Sequence, residues 1–214
     1  MTTLLHIEAS PMGENSVSRA VTAEFLTAWK AANPEGTIVE RDLSTNPVPL
    51  LDAEAIFADY TPEADRPETM AAKRALRGEL IDEITSADEI VLSTPLWNWS
   101  VPGHVKAYID QLFIPGVFDG SGTNPLAGKK VTVIMAQGGS YKPGTPREGW
   151  DFGSGYLETV FRAIGAEDIE IILAELTLAG VAPGMDDLIG LKEQSIAAAK
   201  EAAATRAAQQ SALV

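Results

Sequence analysis

The chain contains no cysteine. That excludes disulfide bridges, thiol nucleophiles and thiolate-held metals, so any redox chemistry has to come from a bound cofactor. No apolar run approaches the roughly 18 residues that a membrane span needs, and no basic flank leads into an apolar segment at the N-terminus. The expected location is the cytoplasm, with no membrane partner. Basic residues are scarce: Lys and Arg number 16 against 30 Asp and Glu, for a formal net charge of −14. That balance opposes association with nucleic acid or anionic lipid and favours a small molecule or a protein as partner. There is no internal repeat.

What is present suits one globular domain over residues 1–214, with 45% of residues hydrophobic and 21% charged. Strand-like segments at 3–9, 37–43, 89–94, 130–137 and 169–176 alternate with helical spacing over 16–32, 67–85, 102–113, 150–165 and 185–208. The first, third, fourth and fifth strands are near-continuous apolar runs, as strands covered on both faces require. The order predicts a doubly wound α/β fold with a five-stranded parallel sheet. Two long connections interrupt the alternation. Residues 44–66 read as an excursion over the surface, and residues 114–128 as a second, Gly/Pro-rich one. The Ala-rich end, "SIAAAKEAAATRAAQQSALV", reads most simply as a fraying terminal helix.

Three loops carry chemical information. In "EASPMGENSVSRAVTAEF", Ser10 ends the first strand, Gly13 permits an unusual backbone angle, and Ser16 stands where an N-cap belongs. Ser18 and Arg19 lie in the first helical turn. Hydroxyls, open N–H groups and an arginine at a helix start suit a phosphate group, although an ordinary capped helix explains them equally. The loop lacks G-x-G-x-x-G and G-x-x-x-x-G-K-[ST], which leaves a mononucleotide as the economical ligand. The second loop, "PLWNWSVP" (95–102), holds two of the four tryptophans around one asparagine. Core packing is the competing reading, but the following helix has its core face supplied by Val101, Val105, Tyr108, Ile109 and Leu112. Trp97 and Trp99 are therefore free to flank a planar ring, with Asn98 and the backbone at its edge. The third loop, "AQGGSYKPG" (136–144), pairs Gly138 with Gly139 at a strand end, where the backbone can approach a flat ligand. In a sheet of order 2-1-3-4-5 these loops fall on neighbouring strand ends at the switch point.

At these residues the sequence resembles the FMN-dependent NADH:quinone oxidoreductases called azoreductases, over essentially the whole chain. Its most specific parts are "PLWNWSVPGHVKAYIDQ" and "AQGGSYKPG". The resemblance implies a flavodoxin-like fold, with Ser10, Ser16, Val17 and Ser18 holding the FMN phosphate. It also implies that Pro95, Leu96, Trp97, Asn98 and Trp99, with Gln137, Gly138 and Gly139, border the isoalloxazine ring. Members of the family usually have Met-Tyr and Phe where this chain has Leu96, Trp97 and Trp99, and Ser-Arg where it has Ala136 and Gln137. They also carry a longer aromatic segment that reaches the partner subunit's pocket. Here "GVFDGSGTN" leaves Phe118 as the only aromatic and so the one substrate-binding candidate of that kind.

The implied mechanism passes hydride from NADH or NADPH to the flavin, which then passes two electrons to a quinone or azo compound in the same place. No protein side chain is required as a catalytic group, since the cofactor carries the chemistry, and no metal is expected. His104, near a helix start, is the one histidine near the site and reads as a surface or supporting residue; His6, within the first strand, reads as a packed or edge residue. The resemblance also implies a homodimer, and the two excursions supply apolar residues, Leu50, Leu51, Ile56, Phe57, Ile114, Val117 and Phe118, expected to form an exposed patch of the sort that marks interfaces. A flavodoxin-type FMN electron carrier serving protein partners shares the fold, cofactor and acidity, and a ligand-free interaction module is a third reading.

Overall fold

The computed structural model describes residues 2–119 and 124–209. Part of the 114–128 excursion and the last five residues of the Ala-rich end lie outside the described residues. Five parallel strands, β1 (Thr3–Glu8), β2 (Thr37–Asp42), β3 (Glu89–Pro95), β4 (Lys130–Ala136) and β5 (Asp168–Ala174), form one sheet of order β2-β1-β3-β4-β5. The helices are α1 (Val17–Ala32), α2 (Ala53–Ala58), α3 (Glu68–Ser86), α4 (Gly103–Leu112), α5 (Phe152–Ala163) and α6 (Ile189–Ala208). The flavodoxin-like doubly wound architecture is as the apolar runs predict, with the strands and the five long helices close to their expected places.

Strand alternation divides the core between the two faces. Leu4, Val91, Ile134 and Ile172 point to one side, where Val21, Phe25 and Trp29 of α1 meet Ala199, Ala203 and Ala207 of α6. Leu5, Ile7, Ile90, Leu92, Val131 and Val133 point to the other, under α3, α4 and α5. The register aligns Glu8 with Ser93 and Pro95 with Ala136, so β1, β3 and β4 end at neighbouring levels. β2 is an edge strand whose residues are exposed or half-buried, in keeping with its lack of a continuous apolar run.

The structure corrects three expectations. First, the Ala-rich end does not fray within the described residues. Small alanines at helical spacing let α6 lie close against α1, and Lys130 Nζ donates to the carbonyls of Arg206 (3.4 Å) and Gln209 (2.6 Å). Second, the 44–66 excursion contains α2, which its prolines and acids conceal. Arg77, fully buried, donates to the carbonyls of Ala55, Gln111 and Phe113 and so fastens this excursion to the end of α4. Third, Ile114 and Phe118 do not stand exposed. Both are buried in the core under α3 and α4, so neither adds to an exposed patch. Leu50, Ile56 and Phe57 are exposed. Among the described residues no helix is long and apolar enough to cross a membrane.

Candidate functional site

The loop after β1 is bound to the sheet before it reaches α1. The buried carboxylate of Glu8 accepts from the amides of Ala9 (2.9 Å) and Ser10 (2.7 Å), and the Ala9 amide also reaches the Ser93 carbonyl (2.9 Å). Gly13 has φ +53° with open space where a Cβ would stand, so its backbone angle, not crowding, demands glycine. Ser16 caps α1, its Oγ accepting from the Arg19 amide at 3.2 Å. The Ser16 and Ser18 hydroxyls lie 3.2 Å apart, and both side chains are buried with Ser10. Val17 and Ser18 open the helix, where the first amides have no carbonyl of their own helix to reach. Hydroxyls and helix-start amides in this arrangement have the chemistry to accept an anion.

Arg19, expected to face the same anion, is already engaged within the protein. Its Nε and Nη2 donate to the Ser10 carbonyl (3.0 and 2.8 Å), and Nη2 also reaches Asp42 Oδ2 (2.9 Å) and Ser44 Oγ (3.1 Å). Burial pushes the Asp42 carboxyl up, but hydrogen bonds from Arg19 and Ser44 outweigh it and bring the group down to about 2. The guanidinium therefore braces the loop from below.

The tryptophan octet is a tight reversal. The Leu96 amide still pairs with the Ala136 carbonyl (2.8 Å), extending the sheet by one bond. Trp97 and Ser100 then exchange two backbone bonds, N to O at 2.9 and 3.0 Å, around Asn98 (φ +48°) and Trp99 (φ +67°). Two consecutive positive φ values define a type I′ turn. Asn tolerates that region; a tryptophan there is a strained residue, at a cost of about 1–3 kcal/mol. The turn directs Leu96 into the core and leaves Trp97 and Trp99 at 41% and 39% exposure, so packing does not explain the pair. Trp97 meets His104 edge to face at 6.0 Å, and Trp99 meets Trp150 the same way at 5.2 Å.

The turn after β4 is only partly as expected. Gln137 is buried: its amide donates to the Ala174 carbonyl, its carbonyl accepts from Thr177, and its side-chain Nε2 donates to Asp151 Oδ2 at 2.7 Å. These bonds make Gln137 a support of the turn, joining β4 to the segment after β5 and to the start of α5. A Cβ on Gly138 would stand 2.8 Å from Leu178 Cδ1, so that glycine serves contact with the segment after β5. Gly139 has no such neighbour: the nearest atom to an added Cβ is 3.9 Å away, on Tyr141.

Sequence reading missed Trp150, Asp151 and Gly153. Asp151 caps α5 by accepting from the amides of Gly153 and Ser154 while receiving the Gln137 side chain, and the Phe152 amide donates to the Trp99 carbonyl (2.9 Å). The start of α5 thereby holds both the tryptophan turn and the turn after β4. The capping signal in "GWDFGSG" was legible; the partners, which come from other strand ends, were not.

A family described as having a flavodoxin-like fold matches residues 2–207. The chain belongs to that flavodoxin-like family. It is 45% identical over 210 residues to a protein of Frankia casuarinae named FMN-dependent NADH:quinone oxidoreductase, covering 95% of this chain and 98% of that one. A protein of the same name from Streptomyces avermitilis is 41% identical over 209 residues, covering 97% and 96%. Among solved structures, an azoreductase from Bacillus anthracis superposes with a TM-score of 0.84 at 26% identity, covering 97% of this chain and 99% of that one.

In this flavodoxin-like chain, Gly153 tests how the tryptophan turn is supported. A Cβ there would fall 2.6 Å from Leu96 Cδ1 and 3.2 Å from Met135 Cε. Gly→Ala inside a helix ordinarily stabilises by up to about 1 kcal/mol. Gly153→Ala should instead destabilise by about 1–3 kcal/mol through overpacking, and alter tryptophan fluorescence as Leu96 moves the turn. Denaturant unfolding checks it; an unchanged or higher midpoint contradicts the packing described.

Proposed function

We propose that this chain is a cytoplasmic FMN-dependent oxidoreductase that takes electrons from NADH, or less readily NADPH, and delivers them to quinones and azo compounds. The observation that carries the proposal is the type I′ turn that holds Trp97 and Trp99 half-exposed beside a hydroxyl-rich helix start, at the switch point of a parallel sheet. Those residues fit FMN. Hydroxyls and helix-start amides meet the needs of a phosphate, and two indoles beside an uncrowded Gly139 meet those of a flat ring. The names of the Frankia and Streptomyces relatives support the same assignment.

FMN, when bound, supplies the two-electron chemistry, accepting hydride from the nicotinamide and reducing the acceptor that replaces it. The chain's own work is binding and placement. Ser10, Ser16 and Ser18 donate hydroxyls, and Val17 and Ser18 donate amides, to the phosphate. Leu96 to Trp99 and Gly139 shape the ring's surroundings, with Gln137 and Gly138 behind them. Trp99 and Trp150 form an aromatic wall suited to stacking a planar acceptor. The acidic balance of the chain disfavours the extra phosphate of NADPH.

Steady-state assays with both nicotinamides against a quinone and an azo dye should give rapid turnover and parallel double-reciprocal lines, as two half-reactions at one site require. Bound FMN without nicotinamide oxidation would point instead to an electron carrier. Ser16→Ala combined with Ser18→Ala should weaken FMN at least about a hundredfold, since hydrogen bonds to a charged group are worth about 1.5–3 kcal/mol each, while riboflavin affinity stays put. Unchanged FMN affinity removes these hydroxyls from the phosphate site.

The assembly we propose is a homodimer, in which Leu50, Ile56, Phe57 and the exposed Tyr60 cover one another or their counterparts. Light scattering should give twice the chain mass of 22.7 kDa. A fully active species of single-chain mass would refute the dimer.

A further inference from the structure

We infer that His104 is a positioning residue that locks the phosphate-side loop and the tryptophan turn into one unit, so that the two ends of the flavin site are set together. The inference rests on the FMN reading above and deepens it. His104 lies in the first turn of α4, and its Nε2 stands 2.7 Å from the Ala9 carbonyl, 95 residues away in sequence. A carbonyl only accepts, so Nε2 is the donor and carries the proton. The same imidazole packs edge to face on Trp97, with ring centroids 6.0 Å apart and planes at 87°. One side chain thus touches the residue before Ser10 and the indole that flanks the ring site.

Both contacts are made from rigid supports. Val105, Tyr108, Ile109 and Leu112 bury the core face of α4, which fixes where His104 projects. Ala9 is held from its other side by Glu8 and Ser93, so its carbonyl is a fixed target. Trp97 stands on the turn itself, less enclosed than either of these supports. It is 41% exposed, and among the described residues its ring contact with an aromatic neighbour is the one to His104. Aromatic pairs of this kind contribute about 0.5–1.5 kcal/mol beyond area burial, enough to favour one indole orientation over another. A phosphate drawn onto the first loop therefore meets a ring wall already in register with it, and a shift of either loop is felt by the other.

Two substitutions separate the contacts. His104→Phe keeps an aromatic ring and loses the donor to Ala9; His104→Gln keeps a donor and loses the ring. Apoprotein of each, and of the parent, is titrated with FMN and with riboflavin, following flavin absorbance, beside the melting temperature of the apoprotein. His104→Phe should bind FMN about three- to tenfold more weakly, the worth of one neutral hydrogen bond, with a smaller change for riboflavin. His104→Gln should hold FMN within about twofold of the parent, but with a displaced flavin absorption band and a fall in kcat that exceeds any change in KM. Parent-like binding, spectra and kinetics in both variants overturn the inference. So does an equal loss of FMN and riboflavin that merely follows a lower melting temperature, which marks a structural contact only. Failure of the parent apoprotein to take up FMN is a different result: it removes the FMN reading itself, and this inference with it.

Discussion

In a parallel sheet whose connections change direction between β1 and β3, the chain leaving β1 passes to one face and the chain leaving β3 to the other. Here α1 covers one face with α6, and α4 covers the opposite face with α3 and α5. The two loops must part above the strand ends, and the space between them is a consequence of topology before any side chain is chosen. What the residues decide is how that space is lined. A capped helix start with three buried serines lines one side, and a type I′ turn with two half-exposed indoles lines the other.

The tryptophan turn is the costly part. A non-glycine residue at φ +67° persists only where its surroundings fix it. Three contacts do so: the paired backbone bonds between Trp97 and Ser100, the Phe152 amide on the Trp99 carbonyl, and the flush approach of Gly153 to Leu96. The start of α5 is fixed in turn by Asp151, which also receives Gln137. Each of the three loops is thus partly held by another, and none could be regrafted alone. Arg19 extends this bracing to the end of β2 through Asp42.

Most of the fold was legible because its strands are near-continuous apolar runs and its longer helices carry caps or regular core faces. The apolar run through Leu4, Leu5 and Ile7 needs no partner to be seen. The three loops of the candidate site were legible, but the partners that hold their residues were not, and the reason is shared. Gln137 and Arg19 are polar residues beside a ligand-like loop, and sequence alone does not reveal that Asp151 and Asp42 claim them first. Phe118 sits in a Gly/Pro-rich stretch that reads as surface, yet tertiary packing buries it. The alanines of α6 looked like low complexity because small side chains carry little hydrophobic signal, though their size is what admits α1.

The central claim is that the tryptophan turn exists to line a flavin, not to fill a core, and Trp97→Ala tests it most directly. Truncating a 41% exposed indole should leave the apoprotein's unfolding midpoint near that of the parent. FMN should loosen only about two- to twelvefold, matching the 0.5–1.5 kcal/mol of an aromatic contact. Turnover should fall further than binding, because a ring displaced by about 1 Å can lose on the order of a hundredfold in rate. Stability measured with and without flavin, the visible spectrum and turnover, all on the same Trp97→Ala protein, give the answer. A stability loss of about 3–5 kcal/mol, with a normal flavin spectrum and normal turnover per folded molecule, would return the turn to the core and contradict the account.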